Sequence, residues 1–132
     1  MVHHKSRILC VDDDADTCEM LSYFLGQAGY EVAVASSVVD ALRRAMCEEF
    51  DLYLLDLWLA DGTGIELCER IRAFDSKTPV VVCSGDVRES VKQQALTVGV
   101  QRFLKKPVAL DCLHKTVDTL VSRGAGINDI CA

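Results

Sequence analysis

Leu52-Tyr53-Leu54-Leu55 is a short apolar run that ends on Asp56, and three other runs in the chain are built the same way. Arg7-Ile8-Leu9-Cys10-Val11 ends on Asp12, Asp13 and Asp14. Pro79-Val80-Val81-Val82-Cys83 ends on Ser84, and Phe103-Leu104 on Lys105 and Lys106. If these runs are parallel strands of one sheet, their polar ends converge at its carboxyl edge, where open α/β folds bind ligands. Acids, a hydroxyl and an ammonium gathered there form a site for a metal ion and a phosphoryl group.

The segments between the runs carry apolar residues at helical spacing, such as Met20, Leu21, Phe24, Leu25 and Ala28, or Leu110, Leu113, Val117, Leu120 and Val121. Further helices are predicted around 38–46, 65–71 and 87–98, with Gly29 and Gly99 as stops just past helix ends. Glu31–Ala35 completes five β units. Alternating strand and helix requires a parallel sheet covered on both faces, because right-handed crossovers pack a helix against the sheet at each step. Strands three and four, almost wholly apolar, are expected to be buried on both faces. Strand two ends in Ala35-Ser36-Ser37 without a charge, as suits an edge strand. The expected fold is a flavodoxin-like (βα)5, doubly wound and five-stranded, with strand order 2-1-3-4-5.

At 132 residues, half of them apolar, the chain suits one domain. The reading divides it into an N-terminal extension (1–5), the domain (6–123) and a flexible tail or linker stump (124–132). A net charge of −6, from 14 basic against 20 acidic residues, disfavours nonspecific attraction to nucleic acid or anionic lipid. Seven cysteines, an odd number without a Cys-x-x-Cys pair, read as free thiols of a cytoplasmic protein. No apolar stretch approaches the ~20 residues of a membrane span. The adjacent His3 and His4 lack a metal-site spacing and read as a disordered pair.

Carboxylates held ~4 Å apart at an effective dielectric near 20 repel by ~4 kcal/mol, so a proton or a cation must join them. Magnesium, which takes one or two carboxylates plus phosphate oxygens, suits Asp12, Asp13 and Asp56. Taken singly, these acids, Asp14 among them, read equally as turn and helix N-cap residues. A carboxylate bearing a phosphoryl group needs a cation and donors around it, which Lys106 and Ser84 supply. Lys105, its neighbour on a strand, should point away and be solvated. The Lys106-Pro107 bond is a candidate for the cis form.

The sequence resembles a response-regulator receiver domain from about Ser6 to about Arg123. The resemblance rests on Ile-Leu-Cys-Val-Asp-Asp-Asp at 8–14, Asp-Leu-Tyr-Leu-Leu-Asp-Leu-Trp-Leu at 51–59 with Gly64 after it, Val-Val-Cys-Ser-Gly at 81–85, and Phe-Leu-Lys-Lys-Pro at 103–107. It implies that Asp56 is the phosphoacceptor, that Asp13, Asp56 and the Trp58 carbonyl bind Mg²⁺, and that Asp12 acts through a metal-bound water. It places Ser84, with Gly85 beside it, against the phosphoryl group, makes Lys106 its cation and Phe103 the aromatic switch residue.

The implied function is a phosphorylation-controlled signalling module rather than a turnover enzyme. A sensor histidine kinase or phosphotransfer protein would supply the phosphoryl group. A surface of helix 4, strand 5 and helix 5 would then address a downstream effector, and a dimer dependent on phosphorylation is left open. Two features depart from the family: Ala60 stands where proline is common, and Trp58 is unusually large for its position. The alternatives are a phosphatase of the haloacid-dehalogenase type using Asp12, and a receiver-like module that binds without phosphorylation.

Overall fold

The computed structural model describes residues 5–123. His3, His4, Cys131 and the tail 124–132 lie outside the described residues. The elements run β1 (Arg7–Val11), α1 (Ala15–Gln27), β2 (Glu31–Ala35), α2 (Val38–Cys47), β3 (Leu52–Asp56), β4 (Trp58–Leu59), β5 (Gly62–Thr63), α3 (Gly64–Arg72), β6 (Val80–Ser84), α4 (Glu89–Thr97), β7 (Arg102–Lys105) and α5 (Leu110–Arg123). The main sheet is parallel, in the order β2-β1-β3-β6-β7, so β6 and β7 are the fourth and fifth strands of the expected flavodoxin-like order. β4 and β5 form a small antiparallel hairpin after Asp56.

Alternation along the strands builds two cores. Leu9 and Val11 of β1, Tyr53 and Leu55 of β3 and Val80 and Val82 of β6 pack with α2, α3 and α4. Their neighbours Ile8, Cys10, Leu52, Leu54, Val81 and Cys83 pack on the other face, against α1 and α5. The period of two is that of a pleated strand, and both faces of β3 and β6 are filled, as their unbroken apolar runs require. Leu55 is fully buried, and truncating such a side chain to alanine costs ~2–5 kcal/mol.

Helix ends account for much of the local detail. Gly29 and Gly99, just past α1 and α4, adopt φ values of 99° and 98°, which only glycine takes readily. Asp14 is the N-cap of α1: its carboxylate accepts from the Asp16 amide at 3.3 Å and the Thr17 hydroxyl at 2.6 Å. That bond to Thr17 above all holds the Asp14 pKa below the usual carboxylate value. α2 is capped by Ser37 and also by Asp61, from the hairpin loop, which accepts from the amides of Val38 at 2.8 Å and Val39 at 3.1 Å. Thr63 and Glu66 form a capping box at the start of α3. α4 starts two residues later than its apolar pattern predicts, and its N-cap, Arg88, makes no side-chain capping bond. No helix among the described residues is long and apolar enough to cross a membrane. The cysteines among the described residues are all free thiols.

Candidate functional site

Asp12 follows β1, Asp56 ends β3, Ser84 ends β6 and Lys106 follows β7, so the parallel sheet delivers the four groups to one edge. Carboxylate oxygens of Asp12, Asp13 and Asp56 all lie within 4.8 Å of one another. Lys106 Nζ donates to Asp56 Oδ1 at 3.0 Å and to Asp12 Oδ2 at 3.5 Å. Its backbone is held at the same edge, its N–H donating to the Ser84 carbonyl at 2.9 Å. Lys105 is exposed, as the strand alternation predicts, and the Lys106-Pro107 peptide is cis.

Burial differs among the acids. Asp12 is buried, its Oδ1 accepting from the Asp14 amide at 2.9 Å; Asp56 is half-buried and Asp13 is exposed. Partial burial raises the Asp56 pKa, and the Asp12 charge adds to the rise, while the Lys106 hydrogen bond opposes it without cancelling it. Burial pulls Lys106 down, but its bond to Asp56 and the charges of Asp56 and Asp12 outweigh this, so its pKa is raised. Three carboxylates thus face one ammonium, and the donor set is all oxygen. That charge imbalance and ligand type fit a hard divalent cation such as Mg²⁺.

The remaining predicted residues lie around this centre. The buried Ser84 hydroxyl accepts from the Asp86 amide at 2.9 Å, and Asp86 is paired with Arg88 at 2.7 Å. Gly85 is exposed, with open space where a Cβ would stand. Phe103 is half-buried against the core that contains α2, α3 and α4. Trp58, in β4, is 53 % exposed.

Two contributors carry roles that sequence reasoning did not assign. Gly64 is one: a Cβ built on it would stand 2.5 Å from the Asp56 carbonyl oxygen, so only glycine lets α3 begin against the end of β3. Its N–H also donates to the Leu57 carbonyl at 2.8 Å. Gly64→Ala is expected to lose ~1–3 kcal/mol of stability, the usual range for overpacking, read from urea unfolding. An unchanged midpoint would show that the backbones are not in that contact.

The second is a cavity of about 440 Å³ between α1 and α5 that opens onto Asp12, Asp56 and Lys106. Its apolar wall includes Leu21, Val108 and Leu113, with Met20 and Leu110 partly exposed, at 46 % and 40 %.

A doubly wound flavodoxin-like sheet with an acid and lysine centre at its carboxyl edge is thereby defined. Residues 8–118 match the response regulator receiver domain family, and the chain belongs to that family. Among similar proteins, transcriptional regulatory protein ZraR of Salmonella typhimurium is 34 % identical over 118 residues, 89 % of this chain and 27 % of that one. Alkaline phosphatase synthesis transcriptional regulatory protein PhoP of Bacillus subtilis is 31 % identical over 117 residues, 89 % of this chain and 49 % of that one. The chain therefore spans between about a quarter and a half of these two relatives. Among solved structures, the CheY-like receiver domain protein of Methanospirillum hungatei superposes with a TM-score of 0.88 at 27 % identity, covering 91 % of this chain and 96 % of that one.

Proposed function

We propose that this receiver domain accepts a phosphoryl group on Asp56 from a histidine kinase or phosphotransfer protein and changes the α4-β7-α5 surface in response. The observation that carries this reading is the convergence of Asp12, Asp13, Asp56 and Lys106 from three separate strand ends. Held by Asp13, Asp56 and the Trp58 carbonyl, with Asp12 acting through water, a Mg²⁺ ion would supply positive charge to the phosphoryl oxygens and help orient them. An Asp56 carboxylate oxygen attacks phosphorus, and the P–N bond of phosphohistidine breaks with its electron pair leaving on the imidazole. Lys106 passes from the carboxylate to a phosphoryl oxygen, where it offsets charge in the transition state. Ser84 donates its hydroxyl proton to another oxygen, and Phe103 moves with it.

Moving such a switch from 1:99 to 99:1 requires ~5.5 kcal/mol of differential interaction, which charge-assisted bonds to the phosphoryl oxygens can supply. Because the acyl phosphate forms on the protein's own side chain, the domain catalyses its modification and slow hydrolysis, without turnover of a released substrate. The groove between α1 and α5, apolar and open to Asp56, suits the apolar side chains of the donor. Output through an effector domain, as in the transcriptional regulators it resembles, belongs to the same proposal. The phosphatase alternative loses support because Asp14, the second acid of its Asp-x-Asp, is spent on capping α1. The alternative of binding without phosphorylation leaves the complete acid, hydroxyl and lysine set without a task.

Trp58, the only tryptophan in the chain, provides the test. Mg²⁺ is expected to change its emission, and beryllofluoride, a phosphoryl mimic, to change it again. Asp13→Ala abolishes the first response and Asp56→Asn the second. Calorimetric Mg²⁺ binding with constant emission would place the metal away from Trp58.

A further inference from the structure

The two acids that follow β1 are held in very different ways. Every hydrogen-bonding part of Asp12 is tied. Its N–H donates to the Ala35 carbonyl at 3.1 Å, its Oδ1 accepts from the Asp14 amide at 2.9 Å and its Oδ2 from Lys106 Nζ at 3.5 Å. Its main-chain carbonyl accepts from the thiol of Cys18, in the first turn of α1, with sulfur 3.2 Å from oxygen. Asp13, exposed and one residue further on, has no hydrogen-bond partner of its own among the described residues.

A carbonyl oxygen only accepts, so in this contact the sulfur carries the proton. Cys18 and Asp12 are both buried, and the thiol is the sole donor to that oxygen among the described residues. Without it a buried carbonyl is left unpaired, which costs more than the bond itself returns. The oxygen belongs to the peptide unit that joins Asp12 to Asp13. That unit is planar, so holding its oxygen fixes the direction in which the chain leaves for the Asp13 Cα. A thiol is a weak donor, but here it acts on the one acid of the centre that has no other tie.

We infer that Cys18 is a positioning residue for the divalent cation: by donating to the Asp12 carbonyl it orients the Asp12–Asp13 peptide and presents the Asp13 carboxylate beside Asp56. The inference rests on the metal reading given above. Its role is indirect, since the sulfur binds main chain and not a reacting group. Once the thiol is removed the cation itself must order the peptide, so affinity falls while the assembled site is unchanged. Cys68 supplies a control: it is also buried, and its thiol donates to a carbonyl, that of Val98 at 3.6 Å, between α3 and the end of α4.

Calorimetric Mg²⁺ titration of the full 132-residue chain, as wild type, Cys18→Ala, Cys18→Ser and Cys68→Ala, tests this. Cys18→Ala is expected to weaken Mg²⁺ binding about threefold to tenfold, the range of one hydrogen bond. Cys18→Ser keeps a donor and should bind within about twofold of wild type, although both variants lose the packing of the sulfur. Cys68→Ala should melt lower yet bind Mg²⁺ as wild type does. With acetyl phosphate, Cys18→Ala should need more Mg²⁺ for half-maximal labelling while its rate at saturating Mg²⁺ stays within about twofold. In the metal-free chain the carbonyl-carbon resonance of Asp12 should shift in Cys18→Ala and stay in place in Cys68→Ala. Wild-type affinity in Cys18→Ala, serine no better than alanine, or an equal loss in Cys68→Ala would each overturn the assignment. If the carbonyl shift appears but the wild-type chain binds no Mg²⁺, the metal reading itself falls, and the thiol is left as a structural bond alone.

Discussion

Intact mass spectrometry is expected to show one added phosphoryl group on the wild-type chain after incubation with acetyl phosphate or phosphoramidate and Mg²⁺, and none on Asp56→Asn. The three acids are not equivalent nucleophiles. Asp12 is buried, with one oxygen held by the Asp14 amide, and Asp13 is exposed and free of the lysine. Asp56 alone combines partial burial with a close ammonium, 3.0 Å away. The loss should be complete rather than partial, since asparagine retains the shape but offers no anionic oxygen.

Misfolding is not an escape from this result. Burial raises the Asp56 pKa above its ordinary value, so stability contributed by this carboxyl is present below the ordinary carboxylate range and lost as pH rises through the raised value. At neutral pH without Mg²⁺ the ionised group therefore opposes folding, and Asp56→Asn should melt higher than wild type. Added Mg²⁺ should narrow the gap. Undiminished labelling of a folded Asp56→Asn would move the acceptor elsewhere.

Lys106→Ala should slow phosphorylation by ~10²–10³-fold, the usual effect of deleting one preorganised donor to a developing anion, while Mg²⁺ binding survives. Lys105→Ala should change the rate less than about twofold, an exposed side chain being worth little across solvent. The pair tests strand register as much as chemistry. A one-residue slip of β7 would exchange the two lysines and reverse the result.

The site was legible in the sequence because parallel strands convert a linear pattern into a spatial one. Asp12, Asp56, Ser84 and Lys106 each follow an apolar run, and a run that is buried on both faces has few alternative placements. Boundaries set by caps were also readable: Thr63-Gly64-Ile65-Glu66 carries the capping-box signature, although the helix was expected only from Ile65. The β4–β5 hairpin escaped because two-residue strands have no periodicity to detect, even with Asp61-Gly62 as a turn signal. Asp61 capping α2 escaped for a different reason, being a contact between segments 22 and 23 residues apart that no local rule encodes. The need for glycine at 64 arises from the packing of two backbones, which composition cannot express.

Helix capping is unevenly distributed around the acceptor. The hairpin after Asp56 is tied to α2 through Asp61 and to α3 through Thr63, whereas at the start of α4 the Asp86 carboxylate reaches only the Arg88 amide, at 3.3 Å, and the Arg88 side chain caps none of the amides that follow. The domain therefore resembles a clamped beam with one free end. Load applied at Asp56 meets high stiffness on the α2 and α3 side, where displacement would break charged caps, and low stiffness at α4, where orphan amides bond equally well to water in many positions. Compliance is localised by helix ends, and the start of α4, without a side-chain cap from Arg88, adjoins the strand that carries Ser84.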